Sequence, residues 1–246
     1  MLTAMPRFAE RGSSTNQLLL ALPADDSSAW LATLEPVELP IRAVLHEPNA
    51  IISHVYFPDR GAAASLVASL GVDRGVEIGT VGDDGFIGLP ILFGVEREPF
   101  LAVIQVGGTG WRSSALDFRQ GLEASAALRG VCARYAQSFI VQVGQASACN
   151  RTHSVEQRCA RWLLMMHDRA QEQEFTLTQD FLAAMLGVRR AGVTVAAGAL
   201  QRAGLIQYRR SHITVVDRPG LEAASCACYL VIRESYAPAF AGAATP

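Results

Sequence analysis

The chain has 246 residues, half of them hydrophobic and 18% charged, with a net charge of −2. This composition excludes a disordered or collagen-like chain and fits one large or two modest globular domains. No apolar run approaches 18 residues, and the N-terminal MLTAMPRFAERGSSTNQ has no long apolar core, so no membrane span and no secretory leader are expected and the expected location is the cytoplasm.

Residues 1–14 read as a flexible tail. Asn16 to Leu22 predicts a short apolar helix, and Asp25-Asp26-Ser27-Ser28 can start a second one carrying Trp30, Leu31 and Leu34. From Val37 to about Ser114 short β-prone runs alternate with turn residues. Examples are His54-Val55-Tyr56-Phe57 and Val76-Glu77-Ile78-Gly79-Thr80-Val81, separated by breaks such as Pro58-Asp59-Arg60-Gly61 and Gly82-Asp83-Asp84-Gly85. This texture predicts an antiparallel barrel or roll. A long helix follows, from about Leu116 or Leu122 to Ser147. Along it Leu128, Cys132, Tyr135, Phe139, Gln142 and Ala146 recur at 4-3-4-3-4 spacing, a heptad seam expected to face a partner helix in a dimer. Val131, Ile140 and Val141 form a second apolar face that could pack on the roll.

Asn150 to His153 reads as a hinge, and Ser154 with Gln157 forms a capping box for the next helix. Thr178 is a good N-cap, Phe181, Leu182, Met185 and Leu186 keep helical spacing, and Gly187 can take the positive φ of a sharp turn. A second helix runs from about Arg189 to Ala203 with Val193, Ala196, Ala197 and Leu200 inward. Leu205 to Tyr208 and His212 to Val215 then form a hairpin tipped by Arg209-Arg210-Ser211. Helix, tight turn, helix and β-ribbon make a winged helix-turn-helix, which places its second helix in the DNA major groove. Charge supports this: residues 1–149 hold 10 Arg and 15 acids, net −5, whereas residues 150–246 hold 11 Arg and 8 acids, net +3.

Cys132, Cys149, Cys159, Cys226 and Cys228 show neither a zinc-finger nor a thioredoxin spacing, and no metal site is expected. Cys226-x-Cys228 is an unusual pair. No hydrolase, zincin or phosphate-loop motif occurs, and Asp83-Asp84 sits between glycines as a hairpin tip, so no enzyme is expected.

The order roll, long helix, hinge, winged helix-turn-helix resembles the Crp/Fnr family of bacterial transcription regulators from Asn16 to about Asp217. The resemblance is carried by Val155-x-x-Arg158-x-Ala160-x-x-Leu163-Leu164, Leu177-Thr178-Gln179, Leu182-Ala183, Leu186-Gly187-Val188 and Arg190. It implies an α+β chain. The roll would be cyclic-nucleotide-binding-like (15–118), followed by a dimerisation helix and hinge (119–150), the DNA-binding domain (151–220) and a C-terminal tail (221–246). It also implies a homodimer on double-stranded DNA, with RNA polymerase as a partner. Arg190 would read a base, with Arg189 and Thr194 as weaker candidates, while Thr178, Gln179, Arg209, Arg210 and His212 would meet phosphate. An effector would sit near Gly88, Leu89, Pro90 and Arg97. The family's phosphate cassette is altered: Gly88-Leu89 stands for its Gly-Glu, and Glu98 stands for its Arg, so cyclic AMP and cyclic GMP are not expected to bind. No cysteine precedes Cys132, so no iron–sulfur cluster is expected, and the histidines do not point to haem; no cofactor is expected. The alternative reading is a redox-responsive DNA-binding regulator that uses Cys226 and Cys228.

Overall fold

The computed structural model describes residues 14–71, 75–170 and 174–240; the expected N-terminal tail lies outside them except for Ser14. Asn16 caps α1 (Gln17–Leu20), its side chain accepting from the backbone of Leu18 and Leu19 and donating to the carbonyls of Pro58 and Gly85. After α2 (Ala24–Leu31) come β1 (Glu35–Leu39), β2 (Val44–His46), β3 (His54–Pro58), β4 (Ala63–Ser69) and β5 (Gly75–Val81), a short 3-10 helix (Leu89–Phe93), then β6 (Leu101–Val106) and β7 (Gly108–Ser114). These strands form two antiparallel sheets, ordered β1-β7-β3 and β2-β6-β4-β5. Val55, Phe57, Ala64, Val81 and Ile104 are wholly buried between them. This is the expected roll.

The expected long helix is broken. α3 (Ala115–Ala124) ends at Ser125, whose extended backbone turns the chain and whose side chain caps α4 (Ala126–Thr152). The expected hinge is helical as far as Thr152, and only His153 is extended. The heptad seam also needs correction. Leu128, Cys132, Tyr135, Phe139 and Gln142 are buried inside the single chain, not presented to a partner. Phe86 stands 5.1 Å from Tyr135, and Gln142 donates to the Thr80 carbonyl at 3.0 Å. A Cβ at Gly79 would fall 2.7 Å from the Phe139 ring, so glycine is what lets β5 approach α4. The opposite face of α4 carries Ala133, Gln137, Ile140, Gly144 and Ser147, again at 4-3 spacing and all exposed. Of the expected second apolar face Val131 is buried, but Ile140 belongs to this open stripe and is 58% exposed.

The expected C-terminal tail is folded as well. α8 (Arg218–Ala224) and α9 (Cys228–Phe240) follow the hairpin, and α9 lies along α4. Tyr229, Ile232 and Tyr236 recur at three- and four-residue intervals and are buried; Tyr236 stands 6.3 Å from Tyr135. Aromatic contacts thus run without a gap from Phe57 through Phe86 and Tyr135 to Tyr236.

Between α4 and α8 sits the C-terminal head: α5 (Val155–Ala170), β8 (Glu174–Thr176), α6 (Gln179–Leu186), α7 (Arg190–Arg202), β9 (Ile206–Arg209) and β10 (His212–Val215). The Ser154–Gln157 capping box forms as expected. α5 presents Trp162, Leu163, Leu164 and Met166 to the core, and polar contacts fix it to the roll, among them the Gly61 N–H donating to the Arg169 carbonyl at 3.1 Å. Trp162 donates to Glu77 at 2.8 Å, and Arg169 meets Asp84 at 2.6 Å. Asp83 and Asp84 are therefore no solvated tip; Asp83 is buried and Asp84 neutralises an arginine of α5. Among the described residues no single helix is long and apolar enough to cross a membrane.

Candidate DNA interface and effector cleft

The interface begins with a cap. Thr178 accepts from the Phe181 N–H at 3.2 Å and starts α6, whose first turn carries Asp180 toward the positive end of the helix dipole. Gly187 ends α6 at φ +62, a left-handed conformation that glycine adopts without strain. α6 and α7 meet at 105°, within the range of helix-turn-helix pairs. Leu182 and Leu186 of α6 and Val193, Ala196, Ala197 and Leu200 of α7 are buried and hold this angle.

The inward set leaves a defined outward stripe on α7. Arg190, Ala191, Thr194, Val195, Gln201 and Arg202 are exposed, and Val195 is 70% open. Arg190 and Arg189 stand at the helix start. Arg190 is held by Asp180 at 3.2 Å, a partner that no sequence signal marks; it lies on the adjoining helix. Both side chains are well exposed, so the pair is a weak tether. Thr194 donates to Gln179 at 2.8 Å, which brings two of the expected contact residues together across the two helices.

The wing has three strands, ordered β8-β10-β9, where two were expected. Arg210 and Ser211 take φ +49 and +69, positive at both central positions as a type I′ hairpin requires. Arg209, Arg210 and His212 are exposed on it. Leu177 donates to the Ser211 carbonyl at 2.7 Å, and Tyr208 donates through its hydroxyl to the Leu177 carbonyl at 2.9 Å, so the wing is anchored beside the start of α6.

The roll holds an apolar cleft of about 450 Å³ between Leu66, Leu89, Pro90, Phe93, Phe100 and Phe139. Leu89, Pro90 and Arg97 of the expected effector set line it. Gly88 does not; it takes φ +102 to start the 3-10 helix, and its missing Cβ makes room for Val55. Arg97 points its guanidinium at the Asn49 carbonyl, 2.7 Å away. Glu98 is buried and lies 3.5 Å from His46. The cleft thus presents a carboxylate and hydrocarbon where a phosphate-binding site needs an inward arginine. Phe139 belongs to α4, so the cleft floor is part of the long helix.

A capped helix, a left-handed turn, a second helix at 105° and a three-stranded wing define a winged helix-turn-helix, here carried on an antiparallel roll by a long helix: a DNA-binding transcription-regulator fold. Residues 157–224 match the Crp-like helix-turn-helix domain. The whole arrangement is shared with solved structures. FixK2 from Bradyrhizobium japonicum superposes with a TM-score of 0.65 at 15% identity over 78% of this chain and 98% of its own. TTHA1359, a CRP/FNR-family transcriptional regulator from Thermus thermophilus, gives 0.61 at 21% identity with the same shares. A crp/fnr-family protein from Eubacterium rectale ATCC 33656 gives 0.66 at 17% identity over 84% of this chain and 96% of its own. The reading head, residues 157–224, belongs to the Crp-like helix-turn-helix family, and the chain shares the fold of the solved Crp/Fnr regulators. No match was found among curated protein sequences.

Proposed function

We propose that the protein is a homodimeric, sequence-specific DNA-binding regulator that reads the major groove with the outward face of α7. The carrying observation is that face itself. Arg189, Arg190, Thr194 and Val195 are exposed on a helix whose opposite side is buried, beside a wing tipped by Arg209 and Arg210. Arg190 offers a guanidinium fork to a guanine edge, and the Val195 side chain suits a thymine methyl. Thr178, Gln179, Arg209, Arg210 and His212 supply phosphate and edge contacts that set register. On this reading the chain binds rather than catalyses, and it recruits or blocks RNA polymerase at its operator.

The dimer seam we propose is the exposed stripe Ala133, Gln137, Ile140, Gly144 and Ser147, in place of the buried set. Ala133, Gly144 and Ser147 are small enough to let two helices approach closely around Ile140. Gln137 can hydrogen-bond across the pair, and 4-3 spacing keeps the stripe on one side over several turns. A signal enters through the cleft, whose floor residue Phe139 lies one position before Ile140 on α4. Its apolar walls and buried Glu98 suit an uncharged or weakly polar molecule, and neither cyclic AMP nor cyclic GMP is expected to bind at micromolar concentration in calorimetric titration.

Selection of bound fragments from a randomised duplex pool, with no added ligand, tests the reading. A two-fold symmetric motif is expected, because a dimer presents two copies of α7 one helical turn apart. Enrichment of an asymmetric half-site alone would remove the dimer, and retention without any motif would reduce the head to a nonspecific binder.

A further inference from the structure

Apart from the main core lies a second small cluster of buried residues, made of Cys149, Cys226 and Cys228. Cys149 is in the last turn of α4, and His153, its i+4 neighbour, is the residue that caps the helix. Cys226 and Cys228 lie where α8 gives way to α9. Cys149 Sγ is 3.4 Å from Cys226 Sγ, and Cys228 Sγ is 3.5 Å from His153 Nδ1. The four ligand atoms all lie within 4.8 Å of one another. A tetrahedral zinc with bonds of about 2.3 Å to sulfur and about 2.0–2.1 Å to nitrogen has ligand–ligand edges of about 3.5–3.8 Å. The Cys149–Cys226 and Cys228–His153 separations, 3.4 and 3.5 Å, are close to this size.

The surroundings suit bound thiolates better than packed thiols. Gln145, one turn before Cys149 on α4, donates to Cys228 Sγ at 3.2 Å, the kind of outer hydrogen bond that orients a metal ligand. Arg161 is buried, its Nε has no hydrogen-bond partner among the described residues, and its charge acts on Cys149. Three thiolates, a neutral imidazole and a divalent cation carry a net charge of −1, which Arg161 offsets in a region that tolerates no unpaired charge. Three soft sulfurs and one imidazole select a thiophilic ion over magnesium or calcium. Four protein ligands leave no open position, which marks a structural centre.

We propose that Cys149, His153, Cys226 and Cys228 form a Cys₃His site for a structural zinc ion that clamps α9 to the end of α4. Deprotonation of the three thiols releases three protons as the ion binds, and no electron is transferred. The site stands independently of the DNA-binding reading.

Full-length protein purified under reductant is expected to carry one zinc per chain. Replacement by cobalt should give the ligand-field and thiolate charge-transfer absorption of a tetrahedral sulfur-rich centre. Cys226→Ser and His153→Ala should each lose stoichiometric metal, Cys132→Ala should retain it, and Gln145→Ala should weaken affinity about 10-fold or more. A chelator should lower the melting temperature of the parent and leave that of Cys226→Ser unchanged. The cobalt titration uses the parent chain, so it decides the matter even if a variant fails to fold. Cobalt added to the reduced chain without any charge-transfer band would overturn the proposal. So would recovery of metal-free protein with Cys149 and Cys226 joined as a disulfide from zinc-supplied cells, which would make the cluster a redox pair.

Discussion

Arg169 Nη2 lies 2.6 Å from Asp84 Oδ2, with 5% and 16% of the two side chains open to solvent. The pair joins the last turn of α5 to the turn after β5, and the guanidinium also lies 5.7 Å from the Tyr236 ring centre. Burial works against the charge on Arg169; Asp84 first, then Tyr236, outweigh it, and the group titrates above the ordinary arginine value. With Gln142 of α4 accepting from the same guanidinium at 3.4 Å, four parts of the chain meet at one buried cation.

Asp84→Asn should destabilise the protein by about 3–5 kcal/mol, because it strands that cation without its counter-charge. The loss is read as a lower urea midpoint at unchanged slope. Asp84→Asn combined with Arg169→Met should recover most of it. A double variant as unstable as the single one would show that the ion pair is not the source.

Glu77 should set a pH dependence. Its carboxylate lies between Ser65 and Trp162, and burial, ahead of the opposing hydrogen bonds from those two residues and the charges of Arg161 and Arg169, raises it above the ordinary glutamate value near 4.5. A carboxyl raised in the folded state favours folding fully below the unfolded value and loses that contribution as pH rises through the folded one. Glu77→Gln keeps an acceptor for Trp162 and carries no charge. It should be more stable than the parent at neutral pH, with the advantage fading toward pH 4.5. Chemical denaturation across that range checks this; an advantage that grows in acid would reverse the assignment.

Arg190→Ala should cost about 1–3 kcal/mol of discrimination between the selected operator and a site changed at one base pair. Arg210→Ala should weaken all sequences alike and lower the salt slope by about one. Asp180→Ala should act in the opposite sense. It frees Arg190 and removes an acid from the interface, so operator affinity should rise. Titrations of labelled duplex at several salt concentrations separate the three.

Gly192 and Gly198 sit inside α7, where no packing contact demands them. A Cβ at Gly192 meets nothing within 4 Å, and one at Gly198 meets only the end of Arg202. Each replacement by alanine should stabilise the helix by about 1 kcal/mol. Gly198 lies in the middle of the outward stripe and Gly192 to its side. Gly198→Ala should therefore lose operator affinity while gaining stability, and Gly192→Ala should only gain stability. Unchanged affinity for Gly198→Ala would mean that this part of α7 does not approach the groove.

Ile140→Glu should yield a folded monomer. Phe139→Glu should instead unfold the roll, because that ring sits against Gly79 inside the chain. Light scattering with circular dichroism distinguishes the two, and a dimeric Ile140→Glu would place the seam elsewhere.

The head is legible in the sequence because its signals are local. Thr178 caps within three residues, Gly187 turns within one, and the inward positions of α7 repeat at helical spacing. The face of α4 misleads for an equally physical reason. Leu128, Tyr135 and Phe139 announce that they will be buried but not against what. The competing stripe, with Ile140 flanked by Ala133, Gln137, Gly144 and Ser147, is too weakly apolar to stand out. α9 reads as a tail, although Tyr229, Ile232 and Tyr236 keep helical spacing. The thiol cluster needs the tertiary structure, since Cys149 and Cys226 are 77 residues apart. The local signs are the Cys226-x-Cys228 pair and Cys149-x-x-x-His153, two ligand types one helical turn apart.

The contact of Cys149 with Cys226 also brings together the two ends of the reading head. The polypeptide enters the head just after one of these residues and leaves it just before the other, so both strands of the connection pass through a single doorway. A unit attached at one point swivels in any direction. One attached by two neighbouring strands has a preferred axis, and its natural motion is that of a crank. The head is also held to the roll by Trp162 on Glu77 and by Arg169 on Asp84, so a signal that turns α7 about this doorway must loosen those contacts too.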